Sequence, residues 1–185
     1  MALTEIIFHG RGGQGAVTAA DILASAALKS GNEGVQTFPL FGAERRGAPV
    51  RAFARISDKE IYVRSQIYEP DIVVVLDTGI MDTVDVTTGL KKDGIIILNT
   101  PRSPDEIDMP FTIGTVDATS IAIERDIKVG GIPVVNTPII GTLPRIMKNV
   151  SIEKVKEAIM ERWKGEAGKK NALAAEDAYK MVRIK

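Results

Sequence analysis

The run Gly10-Arg11-Gly12-Gly13-Gln14-Gly15, close to the N-terminus, has the types and spacing to do chemistry. Its pattern, Gly10-x-Gly12-x-x-Gly15, matches the fingerprint by which α/β proteins bring backbone N–H groups up to a phosphate. Glycine lets the chain approach an anion closely, and a helix beginning at Gly15 would add the positive end of its dipole. The same glycines serve equally well for a tight turn and close packing of helix on sheet, and the pattern alone does not choose between these uses. A nicotinamide site needs in addition a carboxylate about 20 positions further on, at the end of the second strand, for the ribose hydroxyls. Gln36, Thr37 and Phe38 stand there, with only Glu33 before them, so the NAD reading lacks its second half.

Gly42-Ala43-Glu44-Arg45-Arg46-Gly47-Ala48-Pro49 is the other unusual stretch. Adjacent guanidiniums on a loop clamp phosphate or carboxylate bidentately, make ion pairs across a subunit interface, or sit in water. The flanking glycines and proline favour a specific backbone path and hence a ligand or interface role for Arg45 and Arg46. His9 is the sole histidine; a strand-end imidazole is either a proton shuttle or a group that hydrogen-bonds backbone, and the second reading is preferred. Asp77 follows Val73-Val74-Val75-Leu76, where open α/β sheets place ligand-facing groups, and is equally placed to cap a helix starting near Ile80. Trp163, the lone tryptophan, closes a helical stripe with Val155, Ile159 and Met160 that reads as core packing.

These residues need elements to position them. Thr4 to His9 is a short apolar strand ending at the glycine cluster, and Ala16, Ala19, Ala20, Leu23, Ala24, Ala27 and Leu28 keep helical spacing up to Gly31. Val35 to Phe38 reads as a second strand, and Pro39 to Pro49 as a long functional loop. Val50 to Ile56 and Glu60 to Arg64 flank Ser57-Asp58-Lys59 and suggest an inserted β-hairpin. Ile72 to Leu76 and Gly94 to Leu98 are continuous apolar runs, the mark of strands buried on both faces, with a helical stretch from Gly79 to Leu90 between them. A strand near Thr112 to Asp117 precedes helices at Ser120 to Ile127, Thr137 to Met147, Ser151 to Trp163 and Glu166 to Met181. Ser151 serves as N-cap of its helix. Ala172, Ala175, Ala178 and Tyr179 could line an apolar stripe on the last helix, for a surface helix or for subunit packing. The expected fold is therefore α/β: one domain over residues 1–185, a mostly parallel, doubly wound, Rossmann-like sheet with an inserted β-hairpin and a C-terminal helical tail from about 151 to 185.

Composition removes several functions. With 24 basic and 24 acidic side chains the net charge is zero, so there is no electrostatic footprint for nucleic acid or an anionic membrane. The chain contains no cysteine and so cannot hold a thiolate-ligated iron-sulfur cluster. No apolar run reaches roughly 18 residues and no basic, apolar leader opens the sequence, so a cytoplasmic protein is expected.

His9-Gly10-Arg11-Gly12-Gly13-Gln14-Gly15-Ala16-Val17, followed by Phe38-Pro39-Leu40-Phe41-Gly42-Ala43-Glu44-Arg45-Arg46-Gly47-Ala48-Pro49-Val50, resembles the gamma subunit of the pyruvate (2-oxoacid):ferredoxin oxidoreductases. The likeness continues through Ile67-Tyr68-Glu69-Pro70-Asp71, Leu76-Asp77, Asn136-Thr137, Gly141, Gly165-Glu166 and Asn171. It implies a complex that decarboxylates a 2-oxoacid on thiamine diphosphate, passes electrons through iron-sulfur clusters to ferredoxin and delivers the acyl group to coenzyme A. Thiamine diphosphate, magnesium and clusters are then expected on the alpha, beta and delta partners, and no catalytic residue or metal ligand is assigned to this chain. Coenzyme A is the anion expected nearest to it, with Gly10, Arg11, Gly12, Gly13, Gln14, Gly15, Glu44, Arg45 and Arg46 as the candidate binding residues. Pyruvate is the preferred substrate; 2-oxoisovalerate and 2-oxoglutarate are alternatives. A stand-alone phosphate-ligand-binding module is the competing expectation.

Overall fold

β1 (Thr4–Arg11) runs straight into the glycine cluster, and α1 (Ala16–Lys29) begins one residue after Gly15, in a computed structural model that describes residues 3–40 and 47–185. The chain continues through β2 (Gly34–Leu40), β3 (Pro49–Ser57), β4 (Ile72–Val75), β5 (Ile95–Asn99), β6 (Thr112–Val116) and α2 (Ala118–Glu124). A two-stranded hairpin, β7 (Lys128–Val129) with β8 (Ile132–Pro133), leads to α3 (Asn136–Ile140), α4 (Ile152–Arg162), α5 (Gly165–Met181) and a short last strand, β9 (Arg183–Ile184). The main sheet has seven strands in the order β2-β3-β1-β4-β5-β6-β9. β1, β4, β5 and β6 pair in parallel; β3 is antiparallel to both β1 and β2, and β9 is antiparallel to β6. The expected α/β class, mostly parallel sheet and C-terminal helices are all present.

Alternation along the strands divides the interior into two cores. Ile6, Phe8, Ala52, Ala54, Val74 and Ile97 face one side, where they meet apolar residues of α1 to α5, among them Ala19, Ile121, Ile139, Val155 and Ala172. Ile7, Phe53, Val73, Val75, Ile96 and Leu98 face the other. The expected double winding is lopsided: the second face is covered by Ile67, Ile80, Val86 and Leu90 from irregular segments and a 3-10 turn (Thr78–Asp82), not by α-helices. The helix expected over Gly79 to Leu90 does not form beyond that turn. Asp85 there accepts hydrogen bonds from the Thr87 N–H (2.9 Å), the Thr87 hydroxyl (2.7 Å) and the Thr88 hydroxyl (3.0 Å), a local side-chain alternative that competes with helix.

The hairpin expected between Val50–Ile56 and Glu60–Arg64 is also absent, and the sheet order supplies the reason. β3 is already paired along both edges, by β1 and β2, which leaves no ladder for residues 60–64 to join. The stretch Thr137 to Met147 splits into α3 and a 3-10 turn (Leu143–Arg145), because Pro144 cannot donate to a continuing helix. Gly141 lies between them against α5, where a methyl group would stand 1.9 Å from the Ala175 carbonyl oxygen. Ser151 caps α4 as expected, accepting from the Lys154 N–H at 3.3 Å. The alanine stripe of α5 is spent inside the chain, with Ala172, Ala174, Ala175 and Ala178 buried and the helix packed on α3 and α4. Trp163 packs half-buried against the first core, whereas Met160 of the expected stripe is exposed.

Candidate functional site

The glycine turn sits at the carboxyl end of β1, beside the carboxyl end of β4, so the sheet brings Asp77 to it. One oxygen of the Asp77 carboxylate accepts from Arg11 Nε at 2.9 Å and from Gln14 Nε2 at 3.0 Å, while the other accepts from the Gly79 N–H at 2.9 Å. Burial raises the Asp77 carboxyl, but the hydrogen bonds from Gln14, Gly79 and Arg11 outweigh it and hold the group below the usual carboxylate range. Of the two sequence readings of Asp77, the cap is realised, on the 3-10 turn. The same carboxylate braces the glycine turn from behind.

Most donors of the turn are used internally. The Arg11 N–H donates to Gln14 Oε1 (2.6 Å), the Gln14 N–H to the Arg11 carbonyl (3.0 Å) and the Gly12 N–H to the Ala48 carbonyl (2.9 Å). Gly47 donates back to the Gly12 carbonyl (3.3 Å), and an Arg11 guanidinium nitrogen reaches the Gly47 carbonyl (3.3 Å). Arg11, a sequence candidate for phosphate, thus already has a carboxylate partner. Glu44, Arg45 and Arg46 lie outside the described residues.

Gly13 and Gly15 differ from their neighbours. Both take left-handed backbone, with φ of 96° and 84°, and neither N–H has a partner among the described residues. Both line a cleft of about 510 Å³ together with Thr18, Lys128, Asn136 and Lys170. Asn136 is 5% exposed; its Oδ1 accepts from the Thr137 N–H at 2.8 Å, and its Nδ2 would stand 2.5 Å from a methyl group built on Gly15. The Thr137 hydroxyl donates to Asn171 Oδ1 at 2.7 Å, which ties α3 to α5 beneath the cleft. On the rim, Lys128 and Lys170 share Asp126 at 3.2 and 3.3 Å. The helix start, two free N–H groups and an amide donor give this side of the turn the character of an anion site. Asn136 was legible only as part of a motif, since nothing in its local sequence points toward Gly15.

His9 is buried, 5% exposed, and the desolvation of its ring together with Arg51 lowers its pKa to about 4 against a weaker opposing effect of Asp85. The imidazole is neutral at physiological pH, which argues against a shuttle working near neutrality. Its backbone carbonyl accepts from the Leu76 N–H at 2.8 Å. Among the described residues no group of three or more His, Cys, Asp or Glu side chains is placed to hold a metal ion, and no helix is long and apolar enough to cross a membrane.

A sheet with a braced glycine turn feeding a helix, and a cleft beside the carboxyl end of its first strand, defines an α/β domain built on a mostly parallel sheet. The family described as pyruvate ferredoxin/flavodoxin oxidoreductase matches residues 5–181, and the chain belongs to that family. It is 55% identical over 98% of both chains to the pyruvate/ketoisovalerate oxidoreductases common subunit gamma of Thermococcus kodakarensis. Identity to the pyruvate synthase subunit PorC of Methanocaldococcus jannaschii is 53%, over 96% of both chains. The crystal structure of pyruvate oxidoreductase subunit PORC from Thermotoga maritima superposes with a TM-score of 0.85 at 36% identity, covering 100% of this chain and 99% of that one. The fold also recurs, at 20% identity and a TM-score of 0.73, as 31% of a longer chain in the 2-oxoglutarate:ferredoxin oxidoreductase of Magnetococcus marinus. The expected gamma-type oxidoreductase subunit is borne out, and these relatives do not favour a solitary binding module.

Proposed function

We propose that the chain works as the gamma subunit of a multi-subunit 2-oxoacid:ferredoxin oxidoreductase in the cytoplasm, converting pyruvate, coenzyme A and oxidised ferredoxin to acetyl-CoA, carbon dioxide and reduced ferredoxin. The observation that carries this is near-complete alignment at about half identity with subunits named for pyruvate. Alpha, beta and delta partners supply thiamine diphosphate, magnesium and the clusters, in keeping with a chain that has no cysteine. The gamma chain contributes assembly and contacts to coenzyme A.

Coenzyme A is an extended polyanion, and the free Gly13 and Gly15 N–H groups, with the Asn136 amide behind them, suit one of its phosphates. Arg11 acts from behind the turn, by way of Asp77. Arg45 and Arg46 precede Gly47, which is hydrogen-bonded to the turn, and are the cations proposed to clamp a second phosphate. In the purified complex, pyruvate-dependent ferredoxin reduction tests the reaction, and calorimetric titration with coenzyme A tests the site. Arg45→Ala with Arg46→Ala is expected to weaken binding about 10-fold or more, as charge-assisted bonds to phosphate are lost. Unchanged affinity would remove both arginines from the site.

A further inference from the structure

The cleft beside the glycine turn carries a second set of anion-binding groups on its rim, and their placement begins at the end of α2. The Ile127 N–H donates to the Ala122 carbonyl at 2.8 Å and the Asp126 N–H to the Ile123 carbonyl at 3.0 Å, the paired bonds that close a helix through one left-handed residue. Glycine is usual at that position. Here it is Asp126, with φ of 53°, the one non-glycine residue at positive φ among those described. Its carboxylate pairs with Lys128 at 3.2 Å and with Lys170 at 3.3 Å, and so gathers ammoniums from two separate elements, β7 and α5, at one edge of the cleft.

Positive charge is left over there. Among the described residues neither lysine has another carboxylate within ion-pair distance, and Glu166, the other acid lining the cleft, is paired with Lys169 at 2.9 Å. Each ammonium keeps donors to spare. Exposed pairs of this kind are weakly held in water, so the lysines can turn to a better anion. The floor of the cleft differs in kind. Its donors are the Gly13 and Gly15 N–H groups and the Nδ2 of Asn136, a residue 5% exposed whose amide nitrogen has no partner among the described residues, and all three are neutral. A cleft of about 510 Å³ is of the size that takes a small ligand, and it holds both sets.

We infer that Lys128 and Lys170 bind the phosphomonoester on the ribose of coenzyme A, while the neutral donors of the floor take one phosphate of its pyrophosphate, so that this chain selects coenzyme A over its dephosphorylated form. This rests on the coenzyme A site proposed above. Coenzyme A carries two kinds of phosphate: those of the pyrophosphate bear about one negative charge each, whereas the ribose phosphate is a monoester with about two at neutral pH. Backbone N–H groups at a helix start hold the former without a counter-cation. The dianion gains most from paired ammoniums, since lysine meets a terminal phosphate as a point charge. Asp126 holds the two ammoniums together before the ligand arrives, which lowers the cost of ordering two flexible side chains. Val129, Val134 and Trp163 also line the cleft and offer apolar surface to the adenosine between the two phosphate sites.

The purified complex is titrated calorimetrically with coenzyme A and with dephospho-coenzyme A, as wild type, as Lys128→Gln with Lys170→Gln, and as Asn136→Ala. Wild type is expected to bind coenzyme A about 10-fold or more tighter than the dephospho form, and the lysine variant to lose that preference by weakening coenzyme A alone, as charge-assisted contacts to one phosphate disappear. Both lysines stand on the exposed rim, so the thermal midpoint of that variant should match wild type. Asn136→Ala is expected to weaken both ligands alike. The lysine variant alone decides the inference: a preference that survives in it, an equal loss for both ligands, or a wild type without preference overturns the ribose-phosphate site. If Asn136→Ala still weakens both ligands in that event, the floor site stands. Binding unchanged in Asn136→Ala and in the lysine variant would remove coenzyme A from the cleft, and the reading beneath the inference would fall with it.

Discussion

The glycine turn and the stretch at residues 60–69 are both irregular segments that join strands, yet they are held in opposite ways. At the turn, conformation is written into the backbone: Gly13 and Gly15 take φ angles that other residues adopt only at a cost, and short-range bonds between Arg11 and Gln14 close the loop, with Gly12 tied to Gly47 and Ala48. At 60–69, backbone pairing is absent among the described residues and large side chains do the holding, above all the buried Arg55. Among the described residues the turn leaves the Gly13 and Gly15 N–H groups without a partner. The segment at 60–69 leaves the Tyr62 and Tyr68 rings exposed. A segment's exposed chemistry thus follows from which of its groups the fold has already used.

The comparison breaks most severely at Arg55. Arg55→Met should cost about 3–5 kcal/mol in denaturant unfolding, because the Glu5 carboxylate, with its side chain 18% exposed, is left without its partner and the Gln66 carbonyl loses its donor. Adding Glu5→Leu should recover a large part of that loss, and failure to recover it would show that the bond to the Gln66 carbonyl matters more than the ion pair. Next in size is Gly15→Ala, expected to cost about 2–3 kcal/mol, since the substitution is both strained at φ 84° and in collision with Asn136. Gly13→Ala meets no neighbour within 4 Å, so only the strain at φ 96° remains, about 1 kcal/mol. Equal losses at the two glycines would mean that the Asn136 contact is unimportant.

The smallest effect expected is at the brace. Asp77→Asn should cost about 1 kcal/mol at neutral pH, as charge-assisted bonds to Arg11 and Gln14 become neutral ones. The folded carboxyl lies below its unfolded value, so its contribution is present above the ordinary carboxylate range and is lost as pH falls through the folded value. The difference between variant and wild type should therefore shrink on acidification below about pH 4, followed by denaturant melts across that range. A difference that stays constant with pH would assign the loss to packing and not to charge.

Much of the scaffold was legible beforehand because its signals are local. The apolar run before Gly10, the helical spacing after Gly15 and the two-sided strands at Ile72 and Ile95 each follow from neighbours a few residues apart. The hairpin at 50–64 misled because β-branched residues and a polar break look alike whether or not an edge is free to pair, and that depends on where β1 and β2 go. Gly79 to Leu90 misled because Asp85 found hydroxyls nearby, a competition that apolar spacing does not report. Within the candidate site, the glycines were visible and their use was not.

What the sequence by itself determined was the strand, turn and helix at the N-terminus, the absence of thiol chemistry, the neutral charge and the motifs of a gamma-type oxidoreductase subunit. These depend on residue type and short-range geometry, which travel with the chain. Only the tertiary structure decided that Arg11 would spend its charge on Asp77, 66 residues away, that Asn136 would press on Gly15, and that the buried Arg55 would reach the Gln66 carbonyl of the exposed segment at 60–69. Such pairings are settled by which strand lies beside which and by what water is excluded between them.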